Sequence, residues 1–265
     1  MNDSSTDNSL EVASSFQDER IHIYTKENEG VSAARNYGIM HAKYDYIAFL
    51  DADDIWESDY LECQKKLIGT YPDAGIYSTA FYSLEKGKRK LRNVLINEHI
   101  HFLVHDYFKE SVMNGLSICW TSSLCLKKEV IKEIPMFRVG IKRGEDLDLW
   151  LRIALNYDVA YLNLPKVFYR TGLSDSLTSD YSKNGEFPYY EWFNFTSESS
   201  YYRKYVILVV YIHAKNAFIH HDYDTCLAEL WSVKTIAWRF KWAERLLLLV
   251  ILSLIHISEP TRPIS

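Results

Sequence analysis

A short apolar stretch that ends in three carboxylates is the feature that most constrains this chain. Tyr46-Ile47-Ala48-Phe49-Leu50 runs directly into Asp51, Asp53 and Asp54. An uninterrupted apolar run bounded by charge predicts a buried strand, because a central strand of a parallel sheet hides both faces. The acids would then lie at the carboxyl end of that strand, where open α/β sheets bind ligands. Carboxylates at such an edge, next to a diphosphate, are suited to a divalent cation.

The same acids allow a structural interpretation. Asp residues are common in turns after strands, and an isolated Asp-x-Asp is a short pattern. Asp54 or Ser58 could instead cap a helix that begins near Asp59.

The elements around this stretch alternate between helix and strand. Ser32 can cap a helix from Ala33 to His41, the strand Tyr46–Leu50 follows, and a helix is predicted from Asp59 to Thr70 before the strand Gly75–Tyr82. This alternation predicts an α/β fold with a mostly parallel sheet flanked by helices. Further predictions are strands at Ile21–Tyr24, Val159–Leu162 and Lys166–Arg170, an amphipathic helix at Glu145–Asn156, and apolar helices at Tyr201–Phe218 and Tyr223–Val250.

Composition excludes several classes of protein. The chain has 265 residues and a net charge of -5, which disfavours a nucleic-acid-binding surface. Its four cysteines show no paired C-x-x-C spacing and indicate a reduced, cytoplasmic setting. The chain begins without a signal-peptide pattern, and the apolar run Leu246–Ile255 is about half the roughly 20 residues needed to span a bilayer.

One basic segment has two possible interpretations. Glu85-Lys86-Gly87-Lys88-Arg89-Lys90 predicts a solvated hairpin tip. The alternative is a site for an anionic acceptor or a membrane surface.

Four motifs, in order, together resemble the family 2 glycosyltransferases of the GT-A fold. They are the opening Asn2-Asp3-Ser4-Ser5-Thr6-Asp7-Asn8-Ser9, Asn28-x-Gly30-Val31-Ser32-Ala33-Ala34-Arg35-Asn36-x-Gly38, Phe49-Leu50-Asp51-Ala52-Asp53-Asp54, and Gly144-Glu145-Asp146-Leu147-Asp148-Leu149-Trp150-Leu151-Arg152. The resemblance extends from residue 1 to about residue 178. Each motif alone would be weak evidence, and their shared order makes the resemblance specific.

The resemblance implies a nucleotide and metal site. Asp53, with Asp51, is expected to hold Mg²⁺ or Mn²⁺ against the donor diphosphate, and Asp51 is also expected near the nucleotide. Asp3 is expected to accept a hydrogen bond from the uracil ring and Arg35 to lie near the nucleotide. The structural alternatives are a turn-forming Asp3 and a surface-exposed Arg35.

The resemblance also assigns the chemistry to the last motif. Asp146 is expected to be the base that deprotonates the acceptor, with the start of its helix keeping it ionised, or else a helix cap. Glu145 and Trp120 are expected to contact the donor or acceptor sugar, although an aromatic residue in an apolar strand is more often core. Asp148 is read as capping or salt-bridging. Trp150 is expected to pack on the sheet and Arg152 to pair with an acid.

The chain departs from the family at both ends. It lacks the family's first strand-helix-strand unit, so we expect this chain to be poorly stable or inactive. Leu252–Arg262 is similar to a translated sequencing-library adapter. The predicted domains are therefore an incomplete GT-A domain at 1–178, a helical extension at 179–251 and an artefactual tail at 252–265.

The sequence therefore predicts an inverting, metal-dependent glycosyltransferase. It would move a sugar from a nucleotide-sugar donor, with UDP-sugar favoured, to a saccharide or lipid-linked acceptor in bacterial surface-polysaccharide synthesis. We expect it in the cytoplasm, with peripheral membrane association left open. The alternative is a noncatalytic GT-A remnant that serves only as a weak binding or interaction module.

Overall fold

The computed structural model describes residues 1–95, 97–115, 117–141, 143–172, 189–192 and 194–237. The described residues fall into two compact units, divided between Pro188 and Tyr189. The predicted tail at 252–265 and the end of the last predicted helix lie outside the described residues.

The first unit contains a mixed sheet with helices. Its helices are α1 (Ser9–Ser14), α2 (Val31–His41), α3 (Tyr60–Thr70), α4 (Tyr107–Asn114), α5 (Val130–Glu133) and α6 (Glu145–Ala154), with a 3₁₀ turn at Thr121–Ser123. Its strands are β1 (Tyr46–Ala48), β2 (Ile55–Trp56), β3 (Ile76–Glu85), β4 (Lys88–Arg92), β5 (His101–Val104), β6 (Leu124–Lys127) and β7 (Val159–Thr171).

The sheet is mixed, and the prediction of a mostly parallel sheet is wrong. The strand order is β1-β6-β3-β7-β2, with β4 paired to β3 and β5 paired to β7. Only β3 and β7 pair in parallel, whereas the other pairs between described strands are antiparallel. The hairpin β3–β4 accounts for one of these pairs, because Lys86 and Gly87 adopt positive φ and reverse the chain directly. The alternation of helices and strands therefore predicted the α/β class. It did not predict which strands pair in parallel and which pair antiparallel.

Two other local predictions differ from the structure. Helix α2 begins at Val31, so Ser32 lies inside it, and its Oγ has no hydrogen-bond partner among the described residues. The predicted strand Ile21–Tyr24 is irregular, and only Thr25 forms a single parallel bridge, with Asn2. Because one bridge is not a ladder, the exposed Ile21 and Ile23 side chains are not buried by a neighbouring strand.

Buried aromatic and aliphatic side chains hold the helices against the sheet. Leu67 of α3 packs with Tyr77 of β3, and Tyr60 of α3 packs with Phe81. Trp150 of α6 is fully buried and contacts Phe49 and Phe137, as expected for a structural residue. The core therefore fixes the start of α6 near the end of β1.

The second unit is helical in its described part. It contains α7 (Tyr189–Trp192), α8 (Tyr202–Ile219) and α9 (Tyr223–Ala237). Within this unit, the Tyr202 hydroxyl donates to the Trp192 carbonyl at 2.6 Å, and His213 of α8 contacts Glu229 of α9. None of the helices in the described part of the chain is both long and apolar enough to cross a bilayer.

A close approach at Gly75 makes the fold testable. A Cβ atom there would lie 2.6 Å from Tyr157 Cβ and 3.2 Å from Ile153 Cγ2. We expect Gly75→Ala to lower the free energy of unfolding by about 1–3 kcal/mol, measured by urea denaturation, because α6 would have to shift. Gly69→Ala in α3 is the control, since no atom of the described residues lies within 4 Å of a Cβ at this position and alanine favours helix. Equal stability of the two variants would contradict this packing.

Candidate active site

The acidic sequence after β1 forms a tight turn whose carboxylates face different partners. The Asp54 amide donates to the Asp51 carbonyl at 3.0 Å, and the Asp51 amide donates to Ser122 Oγ at 3.0 Å. Asp54 is buried and accepts a hydrogen bond from the Arg170 amide at 3.1 Å. Burial raises the pKa of Asp54 to about 6. Asp54 is therefore a turn-stabilising residue rather than a cap of α3. The N-cap of α3 is Asp59, whose side chain pairs with Lys166 and makes no capping hydrogen bond among the described residues.

Arg35 joins two acidic parts of the chain that are far apart in sequence. Its Nη2 donates to Asp51 Oδ1 and its Nη1 donates to Glu145 Oε1, both at 2.8 Å. Its side chain is 13% exposed and its guanidinium lies 5.3 Å from the centroid of the Phe137 ring. Burial alone would lower the pKa of Arg35, but the charges of Asp51 and Glu145 outweigh it and raise the pKa. The alternative of a surface-exposed Arg35 is therefore wrong.

Glu145 and Asp146 begin α6 beside that arginine. Thr121 Oγ1 donates to Asp146 Oδ2 at 3.1 Å, and the Leu147 amide donates to Asp146 Oδ1 at 2.7 Å. Burial, followed by the neighbouring charge of Asp146, raises the pKa of Glu145 to about 7. Burial also raises the pKa of Asp146, so the expectation that the helix start keeps it ionised does not account for its surroundings. The N-cap of α6 is Gly144, so Asp146 is not the cap.

The rest of α6 anchors this pair. Asp148 is fully buried and accepts a hydrogen bond from Arg152 Nε at 2.9 Å, so the acid that pairs with Arg152 is Asp148, which is salt-bridging rather than capping. Arg152 also donates to the carbonyls of Pro135 and Met136. These contacts hold the loop before α6 against the helix, so the position of Glu145 and Asp146 is set by a rigid element.

Asp3 lies at the N-terminus of α2. Its carboxylate accepts hydrogen bonds from the Gly30 amide at 3.0 Å and the Glu29 amide at 3.3 Å, and it pairs with Lys26 Nζ at 3.0 Å. A carboxylate at this point is favoured by the helix dipole. The structure thus gives Asp3 a turn-stabilising role, and its contact with uracil stays a prediction.

Asp53 and Asp51 form the candidate metal ligands. The Asp53 side chain is partly exposed, and its carbonyl accepts a hydrogen bond from Arg170 Nε. In the described part of the chain, no group of three or more His, Cys, Asp or Glu side chains could hold a metal ion. Mg²⁺ commonly takes one or two carboxylates and completes its shell with water and substrate phosphates. Two carboxylates at a strand end fit that kind of ion.

Trp120 lies in an aromatic cluster next to the 3₁₀ turn. Its ring centroid is 5.5 Å from that of Phe81 and 4.7 Å from that of Tyr169. Trp120 keeps part of its surface exposed, while Phe81 is buried. It is therefore partly core, and contact with a sugar stays a prediction.

Several residues of the site were not predicted from sequence. Thr121, Ser122 and Arg170 contact the acidic residues, and the Asn36 side chain bonds both the carbonyl and the amide of Phe137, at 2.7 and 3.0 Å. Asn36 had a signal, since it belongs to the second motif. Thr121 and Ser122 had none, because two small hydroxyl residues in an apolar segment carry no local signature.

Comparison with known proteins identifies the family. The sequence model described as "Glycosyl transferase family 2" matches residues 1–134. The chain belongs to glycosyl transferase family 2. The matched residues include Asp3, Arg35 and the acids after β1, and they end before Glu145 and Asp146.

Individual proteins that are named as glycosyltransferases are also similar to this chain. The chain is 35% identical over 159 residues to an uncharacterized glycosyltransferase of Rickettsia felis, covering 58% of this chain and 24% of that protein. It is 29% identical over 164 residues to the putative teichuronic acid biosynthesis glycosyltransferase TuaG of Bacillus subtilis, covering 61% of each. The chain thus spans less than two thirds of the length of these relatives.

The fold of this family 2 member matches a solved structure. The crystal structure of Staphylococcus aureus TarS 1-349 in complex with UDP-GlcNAc aligns with a TM-score of 0.65 at 14% identity, covering 86% of this chain and 68% of that one. The predicted GT-A class is thereby confirmed, with a mixed sheet and flanking helices.

The raised pKa of Glu145 predicts how stability changes with pH. Its pKa rises from the usual 4.5 to about 7, so the folded protein binds more protons than the unfolded chain between these values. The free energy of unfolding should therefore fall as pH increases from about 4.5 to 7. Glu145→Gln should reduce this slope in urea denaturation, without abolishing it, because Asp54 and Asp146 also have raised pKa values.

Glu19→Gln provides the matched control. Glu19 is exposed, so removing its charge should leave the pH dependence of stability unchanged. A slope in Glu145→Gln equal to that of the original chain would show that Glu145 is not held with a raised pKa.

Proposed function

We propose that this chain is an inverting, metal-dependent glycosyltransferase that uses a nucleotide-sugar donor, with UDP-sugar favoured. The acceptor would be a saccharide or a lipid-linked saccharide in surface-polysaccharide synthesis. The observation that carries this proposal is the ion pair of Arg35 with both Asp51 and Glu145, at 2.8 Å each. It brings the acidic turn after β1 and the acids of α6 into one site.

The residues at the end of β1 would bind the donor. Asp51 and Asp53 would hold Mg²⁺ or Mn²⁺, which supplies Lewis-acid neutralisation of the diphosphate charge. Arg35 lies beside Asp51 and adds a fixed positive charge next to the nucleotide. The TarS structure is a complex with UDP-GlcNAc, which supports a nucleotide sugar as the class of donor.

Asp146 would act as the base. The acceptor hydroxyl loses its proton to the Asp146 carboxylate while its oxygen forms a bond to the anomeric carbon from the face opposite the diphosphate. The bond between that carbon and the phosphate oxygen breaks, and the nucleoside diphosphate leaves with the electron pair. The raised pKa of Asp146 makes it a stronger base than an exposed aspartate. Thr121 fixes the carboxylate by its hydrogen bond to Oδ2.

Relatives support the biological setting. TuaG of Bacillus subtilis is described as a putative glycosyltransferase of teichuronic acid biosynthesis. We therefore infer a role in the synthesis of a bacterial surface polysaccharide. Glu145 and Trp120 would contact the sugars, since Glu145 directly precedes the base and Trp120 directly precedes Thr121, which donates a hydrogen bond to it.

Removal of the base is the test of this mechanism. Asp146→Asn should lower the rate of sugar transfer by roughly 10²–10⁴-fold, because general base catalysis typically contributes that much. Affinity for the nucleotide, measured by calorimetry with UDP and Mn²⁺, should stay within about threefold. Asp73→Asn, at an exposed aspartate before β3, is the control and should leave transfer unchanged. Undiminished transfer by Asp146→Asn would refute the assignment.

Sugar transfer is expected to require a divalent metal ion that Asp53 binds. Chelation by EDTA should abolish transfer, and Mn²⁺ should restore it. Asp53→Asn should raise the Mn²⁺ concentration needed for half-maximal transfer by about tenfold or more, since a ligand is lost. Full activity in EDTA would contradict the metal assignment.

A further inference from the structure

The strand β4 carries a concentration of positive charge that the proposed site does not use. Lys88, Arg89, Lys90 and Arg92 fall within five consecutive residues, and every residue of the strand is exposed. The whole chain has a net charge of -5, so this cluster opposes the average charge of the molecule. The hairpin β3–β4 contains a single acid, Glu85.

The register of the hairpin places three of these cations on one face. Arg92 lies opposite Phe81, Lys90 opposite Ser83 and Lys88 opposite Glu85. Directly opposed residues of an antiparallel pair project to the same face, and alternate residues share it. Arg89 projects to the other face, where its guanidinium lies 4.7 Å from the centroid of the Phe168 ring.

The three cations form a row rather than a set of ion pairs. Arg92 Nε donates to Ser83 Oγ at 3.2 Å, which fixes one end of the row. No salt bridge to Lys88 or Lys90 is formed by the part of the chain that the structure describes. Two ammonium groups therefore remain available to a ligand, and four residue steps at roughly 3.3 Å give a row of about 13 Å.

The row continues from the aromatic cluster beside the catalytic base. Phe81, opposite Arg92, packs against Trp120, and Trp120 packs against Tyr169. The next residue, Thr121, donates its hydrogen bond to Asp146. A chain of contacts thus leads from the base, through the partly exposed rings of Trp120 and Tyr169 and the buried ring of Phe81, to the strand that carries the cations.

We propose that the face of β4 formed by Lys88, Lys90 and Arg92 binds a glycan acceptor that carries negative charges along its length. Aromatic rings suit the apolar faces of sugars, and a linear row of cations suits carboxylates or phosphates spaced along a polymer. The proposal rests on the proposed function, because it names the acceptor class of the same site.

A membrane surface is the competing ligand for a basic strand. Stable peripheral membrane binding usually combines cations with apolar side chains that enter the bilayer next to them. On this face the residues opposite Lys90 and Lys88 are Ser83 and Glu85, which are polar, and Phe81, opposite Arg92, is buried. The face therefore favours a soluble anionic chain over a bilayer.

Binding of a defined acidic glycan tests the proposal. The probe is an oligogalacturonide of about ten sugars, and its fully methyl-esterified form is the neutral control. Calorimetry at low salt should detect the acidic form only. The variant Lys88→Gln, Lys90→Gln, Arg92→Gln should weaken this binding by about tenfold or more, the loss expected for three exposed charge contacts. Circular dichroism of the variant should match that of the original chain.

A charge-matched variant excludes a general electrostatic effect. Lys65→Gln, Lys109→Gln, Lys132→Gln removes the same charge from exposed positions on α3, α4 and α5 and should bind the probe normally. Equal losses in both triple variants, or unchanged binding by the β4 variant, would overturn the proposal. Binding to anionic phosphatidylglycerol vesicles through β4, without binding to the oligogalacturonide, would overturn it in favour of a membrane surface.

The outcome is separable from that of the proposed function. Turnover of UDP-sugar without binding of the acidic glycan would contradict only the proposal that the acceptor is an anionic glycan. Glycan binding through β4 without any binding of UDP would contradict the glycosyltransferase proposal and support the anion-binding site alone.

Discussion

The site depends on a partly buried arginine shared by two carboxylates. Arg35 lies on α2, Asp51 follows β1 and Glu145 begins α6, so one guanidinium connects three separate elements. A buried charge is costly unless it is paired, and removal of one partner of a buried pair typically costs about 3–5 kcal/mol. The three side chains therefore stabilise one another. Each carboxylate offsets the positive charge of Arg35, and Arg35 reduces the repulsion between the two carboxylates.

The surrounding contacts hold this ion pair in place. Asn36, next to Arg35, bonds the backbone of Phe137, and Phe137 packs against Trp150 of α6. Asp148 and Arg152 tie α6 to the loop before it. These contacts therefore fix the position of Glu145 and Asp146 at the start of α6. Burial in this fixed position raises the pKa values of both carboxyl groups.

Local sequence patterns predicted where the helices and strands lie better than they predicted which strands and side chains contact one another. Helices α3 and α6 and the hairpin at Lys86 and Gly87 follow from periodicity and turn residues, which are local signals. The antiparallel pairing of β1 with β6 depends on residues about 80 positions apart and has no local signal. The bond from Thr121 to Asp146 and the effect of burial on Asp146 likewise depend on tertiary packing. The ion pair of Asp148 with Arg152 was predictable because both lie on one helix face.

A double-mutant cycle between Arg35 and Glu145 tests the central claim most directly. The free energies of unfolding of Arg35→Gln, Glu145→Gln and the double variant would be measured at about pH 8, above the raised pKa of Glu145. If the guanidinium joins the two acidic elements, the coupling energy should be about 1–3 kcal/mol, the range for residues in direct contact. Additive effects, within about 0.5 kcal/mol, would show that α2 and α6 are not linked through this pair.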